Sequence, residues 1–211
     1  MKYIHTCTRM KRLTSTSLTM MVREMKLKDR TSNRNLILEE IKGQTTLTGK
    51  CIIGRAYLTP QSTEMESICR HDLKIGKAVN ETSGDGCKNG KNYEIKISLH
   101  ASKSKINFVQ IRPDHDIDYY ILIAYNMYDN DSIGKGYIFK VPSEKIYQLV
   151  IDYGGYAHGT CKKLGKITTD NIKGRGCEYA LRCDPNAKKG KSFALWNILL
   201  DYEVSYEENN F

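Results

Sequence analysis

"SGDGCKNGKNYEIKIS", residues 83–98, decides how this chain is read. From Asn92 to Leu99 a period of two sends Tyr93, Ile95, Ile97 and Leu99 to one face and Glu94, Lys96 and Ser98 to the other. The apolar set predicts a strand laid on a core. Ahead of it, Asn89-Gly90 is a strong hairpin-turn signal, so Asp85 folds back beside the start of the returning strand and converges with Glu94. Two adjacent carboxylates repel, and one protonates, unless a hard divalent cation with a preference for oxygen ligands, such as Mg²⁺, lies between them. Lys96, one strand step further on, then stands over the same site. There its charge can orient a water that the metal has acidified, or help to deprotonate it.

An aspartate, a spacer and then Glu-x-Lys resembles the signature of the PD-(D/E)XK nuclease superfamily, in particular its type II restriction endonucleases. The resemblance is close over residues 83–98 and looser to about residue 165. It implies that Asp85 and Glu94 hold Mg²⁺, that the carbonyl of Ile95 also ligates, and that Lys96 positions the attacking water. It also implies a glutamate on a preceding helix near the metal, for which Glu66 is the first choice and Glu64 the second. Gly84 stands where the family has proline. Acid-x-Lys also occurs at Glu24-Met-Lys26, Glu40-Ile-Lys42 and Asp72-Leu-Lys74, but only the copy at 94–96 lies on a patterned strand directly after a hairpin led by an acid. The bland readings are turn chemistry for Asp85, solvent-facing side chains for Glu94 and Lys96, and a capping box, Thr63-x-x-Glu66, for Glu66.

The net charge of +9 is unevenly spread. Residues 1–35 carry +7, residues 36–157 balance, 158–191 carry +6 and the remaining tail −4. Two basic segments around a neutral middle suit a polyanion held from both sides, although solvated lysine surface has the same composition. About residues 1–32 read as a basic arm and about 154–191 as a DNA-contacting loop region, both part of one nuclease domain spanning 1–211. The seven cysteines are dispersed and no signal-peptide apolar region precedes them, which leads us to expect an intracellular, cytoplasmic setting. No apolar run is long enough to span a membrane, so no membrane partner is expected.

"NRNLILEEIKG" predicts a short helix with an N-cap, apolar Leu36, Ile37 and Ile41 at helical spacing and Gly43 as its stop. "TPQSTEMESICRHDL" predicts a second, with Met65, Ile68, Cys69 and Leu73 on one side. Three runs, 105–112, 118–128 and 136–142, read as strands, the second almost wholly apolar and therefore central. A capped helix follows at "SEKIYQLV", and "SFALWNILL" is too apolar for a surface element. The fold class expected is α/β, a mixed central β-sheet flanked by helices in a restriction endonuclease-like core. "GQTTLTGK" (43–50) resembles a phosphate-binding loop, but five residues separate its glycines and Cys51 follows, so no nucleotide cofactor is expected.

Gln110 and Arg112, on the polar phase of "FVQIRP", are candidate DNA contacts on a strand expected beside the catalytic one. "YAHGT" adds His158 and Thr160, and the basic block adds Lys162, Lys163, Lys188, Lys189 and Lys191 as phosphate-positioning groups. His158, Cys161, Cys177 and Cys183 could supply four zinc ligands, but no Cys-x-x-Cys knuckle is present. The function expected is Mg²⁺-dependent hydrolysis of double-stranded DNA at a specific short sequence by a homodimeric type II restriction endonuclease. The alternatives are a nucleic-acid-binding protein without catalysis, and a structure-specific repair or recombination nuclease of the same superfamily.

Overall fold

The computed structural model describes residues 34–59, 62–99, 105–129, 133–157 and 164–206. The basic arm and His158, Thr160, Cys161, Lys162 and Lys163 lie outside the described residues. Helices α1 (Arg34–Gly43), α2 (Leu47–Tyr57) and α3 (Thr63–Asp72) precede a hairpin of β1 (Gly86–Lys88) and β2 (Lys91–Ser98). Then come β3 (Ile106–Ile111), β4 (Tyr119–Asn126), β5 (Lys135–Pro142), α4 (Ser143–Tyr153), β6 (Gly155–Tyr156), β7 (Tyr179–Cys183) and α5 (Lys191–Leu200).

The chain is mixed α/β. Its four-stranded sheet runs β1-β2-β4-β5, with β2 and β4 parallel and the other two pairs antiparallel. Asn89 and Gly90 both take positive φ, 53° and 72°, as a tight primed turn requires, and Lys88 pairs with Lys91 directly across it. On one face Tyr93, Ile95, Ile97, Ile121, Ile123 and Ile138 pack with Ile37, Ile41, Met65 and Cys69 of α1 and α3. On the other, Tyr120, Leu122, Phe139 and Val141 pack with Ile146 and Val150 of α4, Leu195 and Trp196 of α5, and the second sheet. Both faces are covered, which is why β4 is buried almost from end to end.

Several expectations are corrected. Leu36 is 67% exposed, because the buried stripe of α1 runs through Ile37 and Ile41. "LTGKCIIGRAY" was not anticipated as helix. It starts at Leu47 because the Thr46 side chain accepts the Gly49 N–H, which makes the glycine-rich imitation of a phosphate loop a helix N-terminus. β3 does not pair with the Glu-x-Lys strand. It joins β7 and β6 in a separate antiparallel sheet, and β4 is the parallel neighbour of β2. β6 and β7 lie inside the stretch read as loop; "YALRC" is too short to declare itself against its polar surroundings. Ser143 does not cap α4, since its hydroxyl donates to the Ile117 carbonyl.

Leu122 is fully buried at the centre of the shared sheet. Leu122→Ala is expected to cost about 2–5 kcal/mol in urea unfolding. At Gly90 a Cβ would meet nothing within 4 Å, so Gly90→Ala carries backbone strain alone, about 1 kcal/mol.

Candidate active site

Glu94, Lys96 and Ser98 are the polar face of β2, and the register sets them beside Tyr120, Leu122 and Ala124 of β4. Those neighbours belong to the buried core, so the polar face of β2 occupies core positions and not the solvent face of the bland reading. Glu94 is 5% and Lys96 8% exposed. Burying ionised groups is unfavourable unless they are paired, and here the Lys96 ammonium lies 2.5 Å from Glu94 Oε1.

Asp85 is placed by the backbone. Its N–H donates to the Tyr93 carbonyl at 2.8 Å, and its Oδ2 accepts the Ile95 N–H at 2.6 Å. Asp85 is thus fixed to the residues on either side of Glu94, by its backbone to Tyr93 and by its carboxylate to Ile95, on the edge of β2 that β1 leaves uncovered. Gly84 makes this possible: its φ is +75°, and a Cβ there would stand 2.6 Å from the Tyr93 carbonyl oxygen and 3.0 Å from Glu94 Oε2. Proline, confined to φ near −65°, cannot take this backbone.

Glu66 brings a third carboxylate, from α3. Ser62 is the N-cap of that helix, its Oγ accepting the Met65 N–H and donating to Glu64 Oε2 at 2.8 Å. Glu64 also pairs with Arg34. No capping box engages Glu66. Burial pushes its pKa up to about 7; the Lys96 charge opposes this, and the Asp85 and Glu94 charges add to it. The two glutamates differ in their partners: Glu64 serves the helix end, and Glu66 lies in the field of Asp85, Glu94 and Lys96. Glu94 is itself raised, by burial first and then by Asp85, against the pull of Lys96 and Arg112.

The enclosure thus sets three carboxylates against one ammonium, with the Arg112 guanidinium at its rim. Donor chemistry and charge both suit a hard cation. Asp85 Oδ1 and Glu94 Oε2 carry no hydrogen bond among the described residues, and the Glu66 carboxyl has neither hydrogen bond nor ion pair there. No group of three or more acidic, His or Cys side chains is drawn tightly enough together to hold a metal among the described residues. Glu94 is turned to Lys96 and Asp85 to Ile95, so a cation would take the remaining oxygens. The Ile95 side chain is fully buried in the core, and only its backbone adjoins the acids.

Of the proposed DNA contacts, Arg112 joins the site. Its Nε and Nη2 donate to Glu178 Oε1 at 2.8 and 2.7 Å while its charge reaches Glu94. Gln110 sits at a bulge in β3 with φ of 58°, exposed, and no bond links it to the carboxylates. Lys188 and Lys189 are exposed ahead of α5, and the Lys191 ammonium donates to the Asp152 carbonyl at 2.9 Å. Cys183 is a core residue. Among the other acid-x-Lys copies, Lys42 pairs with Glu39, and Asp72 pairs with the buried Lys50. Sequence reading missed Tyr120, whose hydroxyl lies in the field of Glu94, because the parallel register that aligns the two has no local signal.

Comparison of the chain with protein-family models, curated proteins and solved structures finds no match.

Above its raised pKa the ionised Glu66 destabilises the fold. Its carboxyl binds a proton more tightly folded, at about 7, than unfolded, near the ordinary glutamate value of 4.5. Its contribution is therefore full below pH 4.5 and lost as pH rises through 7. Glu66→Gln should match wild type near pH 4 and exceed it by roughly 1–3 kcal/mol at pH 8 in urea unfolding. Mg²⁺ at pH 8 should raise the wild-type Tm, and raise it less in Asp85→Asn and Glu94→Gln.

Proposed function

We propose that the chain is a metal-dependent phosphodiesterase. The observation that carries this reading is the placement of Glu94 and Lys96 at core positions of the sheet, with Asp85 fixed beside them and Glu66 raised to about 7 in the same enclosure. A fold has no structural need for three acids and a lysine at the junction of two apolar layers, and perturbed carboxyls of this kind cluster at functional sites. Within that class we favour a type II restriction endonuclease that cuts double-stranded DNA as a homodimer. Support for this narrower step comes from the resemblance of residues 83–98 to that family, and from the two-fold symmetry that cutting both strands of a symmetric site asks of a protein with one site per chain.

Asp85 and Glu94, with the Ile95 carbonyl, would hold Mg²⁺, and Glu66 would complete the acidic set. The bound cation would lower the pKa of a water and stabilise charge on the scissile phosphate. Lys96, held by Glu94, orients that water by hydrogen bonding and offsets negative charge as the nucleophile approaches. The covered sheet faces around Glu94 exclude bulk solvent, which strengthens each of these interactions.

Purified protein incubated with plasmid and phage DNA should give discrete fragments with Mg²⁺ and none with chelator. Glu94→Ala and Asp85→Ala should abolish cutting while DNA binding persists, and Lys96→Ala should slow it about 10²–10⁴-fold. Smears in place of bands would replace the site-specific enzyme with a structure-specific or non-specific nuclease. Absence of cleavage with salt-sensitive binding intact would leave a binding protein.

A further inference from the structure

The turn Lys173–Gly176, "KGRG", is held by unusually specific means for an exposed basic segment. Asp114, in the turn after β3, accepts the backbone N–H groups of both Gly174 and Gly176, one on each carboxylate oxygen. Both glycines have positive φ, 78° and 58°, and a Cβ on either would meet nothing within 4 Å. Backbone conformation, not crowding, therefore calls for glycine, and the turn presents bare main chain to solvent. Two residues on either side of this clamp, Arg112 binds Glu178, so one segment grips the turn at two points. Arg175 Nη1 donates to the Leu164 carbonyl at 3.0 Å and closes the base of the excursion.

Two packed routes connect this turn with the carboxylates. Arg112 couples to Glu94 on one side and to Glu178 on the other. The Lys173 ammonium lies 4.9 Å from the centroid of the Tyr147 ring, which meets Tyr120 edge-on at 6.5 Å, and Tyr120 lies in the field of Glu94. Lys173 and Arg175 are themselves exposed.

We propose that this turn is a preorganised clamp for the DNA backbone, in which Lys173 and Arg175 contact phosphates of the strand whose scissile phosphate lies at Asp85 and Glu94. The inference rests on the nuclease reading for the identity of the strand. Its physical basis is separate: the backbone that carries the two cations is ordered in advance by a carboxylate that takes only backbone donors, so the turn loses little freedom when they meet phosphate. With both glycine N–H groups given to Asp114, the phosphate contacts fall to the two side chains, and the glycines beside them add no bulk to block close approach.

The test is binding of a labelled DNA duplex, with Ca²⁺ in place of Mg²⁺, measured over a range of salt. Lys173→Ala/Arg175→Ala should weaken binding about tenfold or more and make the slope of log K against log salt shallower by about 2. Asp114→Ala separates geometry from charge. It removes a negative charge and would tighten binding if net charge alone mattered, whereas loss of the clamp should weaken it several-fold. Unchanged affinity and slope in the double variant, or tighter binding in Asp114→Ala, overturns the proposal. If the wild type cuts DNA and the double variant binds normally, the clamp falls and the nuclease reading stands. If nothing is cut but the double variant loses binding, the clamp stands and the nuclease reading falls. If the wild type binds no duplex, both fall.

Discussion

The ion pair of Glu94 and Lys96, set into a sheet whose opposite neighbour at the same height is apolar, is the constraint around which the molecule is arranged. Charges so placed destabilise a fold unless their partners are exact in position. Each surrounding element meets part of that requirement. Asp85 is bonded to the residues on both sides of Glu94, Gly84 removes the Cβ that would press on the Tyr93 carbonyl and on Glu94, and Arg112 adds positive charge from the rim. The balance remains acidic, and Glu66, raised first by its burial and further by Asp85 and Glu94, stays protonated nearly to neutrality.

The two-sided core makes this tolerable. Helices α1–α3 cover one face of the sheet, while α4, α5 and the second sheet cover the other. The polar face of β2 therefore lies at a boundary where hydrophobic layers supply the packing energy and the acids need not. A similar logic appears away from the site. Lys50 is buried yet donates to the carbonyls of Ile41 and Lys42 and pairs with Asp72, which also accepts from the Tyr206 hydroxyl. That cluster ties the segment after α5 to the first helices, and its groups satisfy one another. Unlike the site at Glu94, it leaves no surplus of negative charge.

Much of this was legible because the deciding features are local. The Asn-Gly turn, the alternation after it and the acid before it fixed the hairpin and the meeting of Asp85 with Glu94, and the apolar length of β4 marked it as central. Other features escaped for physical reasons. Helix α2 hides behind a glycine-rich start whose Thr46 cap looks like part of a phosphate loop. The strand Tyr179–Cys183 is five residues long and gains its stability from pairing with β3, a partner distant in the chain.

What the sequence alone determined is the chemistry at hand and its local order: which side chains share a strand face, where the chain turns back, and which acid leads the hairpin. Backbone periodicity and turn preference act over a few residues, so they can be read there. Tertiary structure decided the rest. It set the polar face of β2 against a core instead of solvent, gave Glu64 to Ser62 and Arg34 while leaving Glu66 in the field of Asp85 and Glu94, placed β3 in a separate sheet from β2, and brought Arg112 and Asp114 to the Lys173–Gly176 turn. Each of these depends on parallel register or layer packing between distant segments, and no local pattern encodes such a pairing.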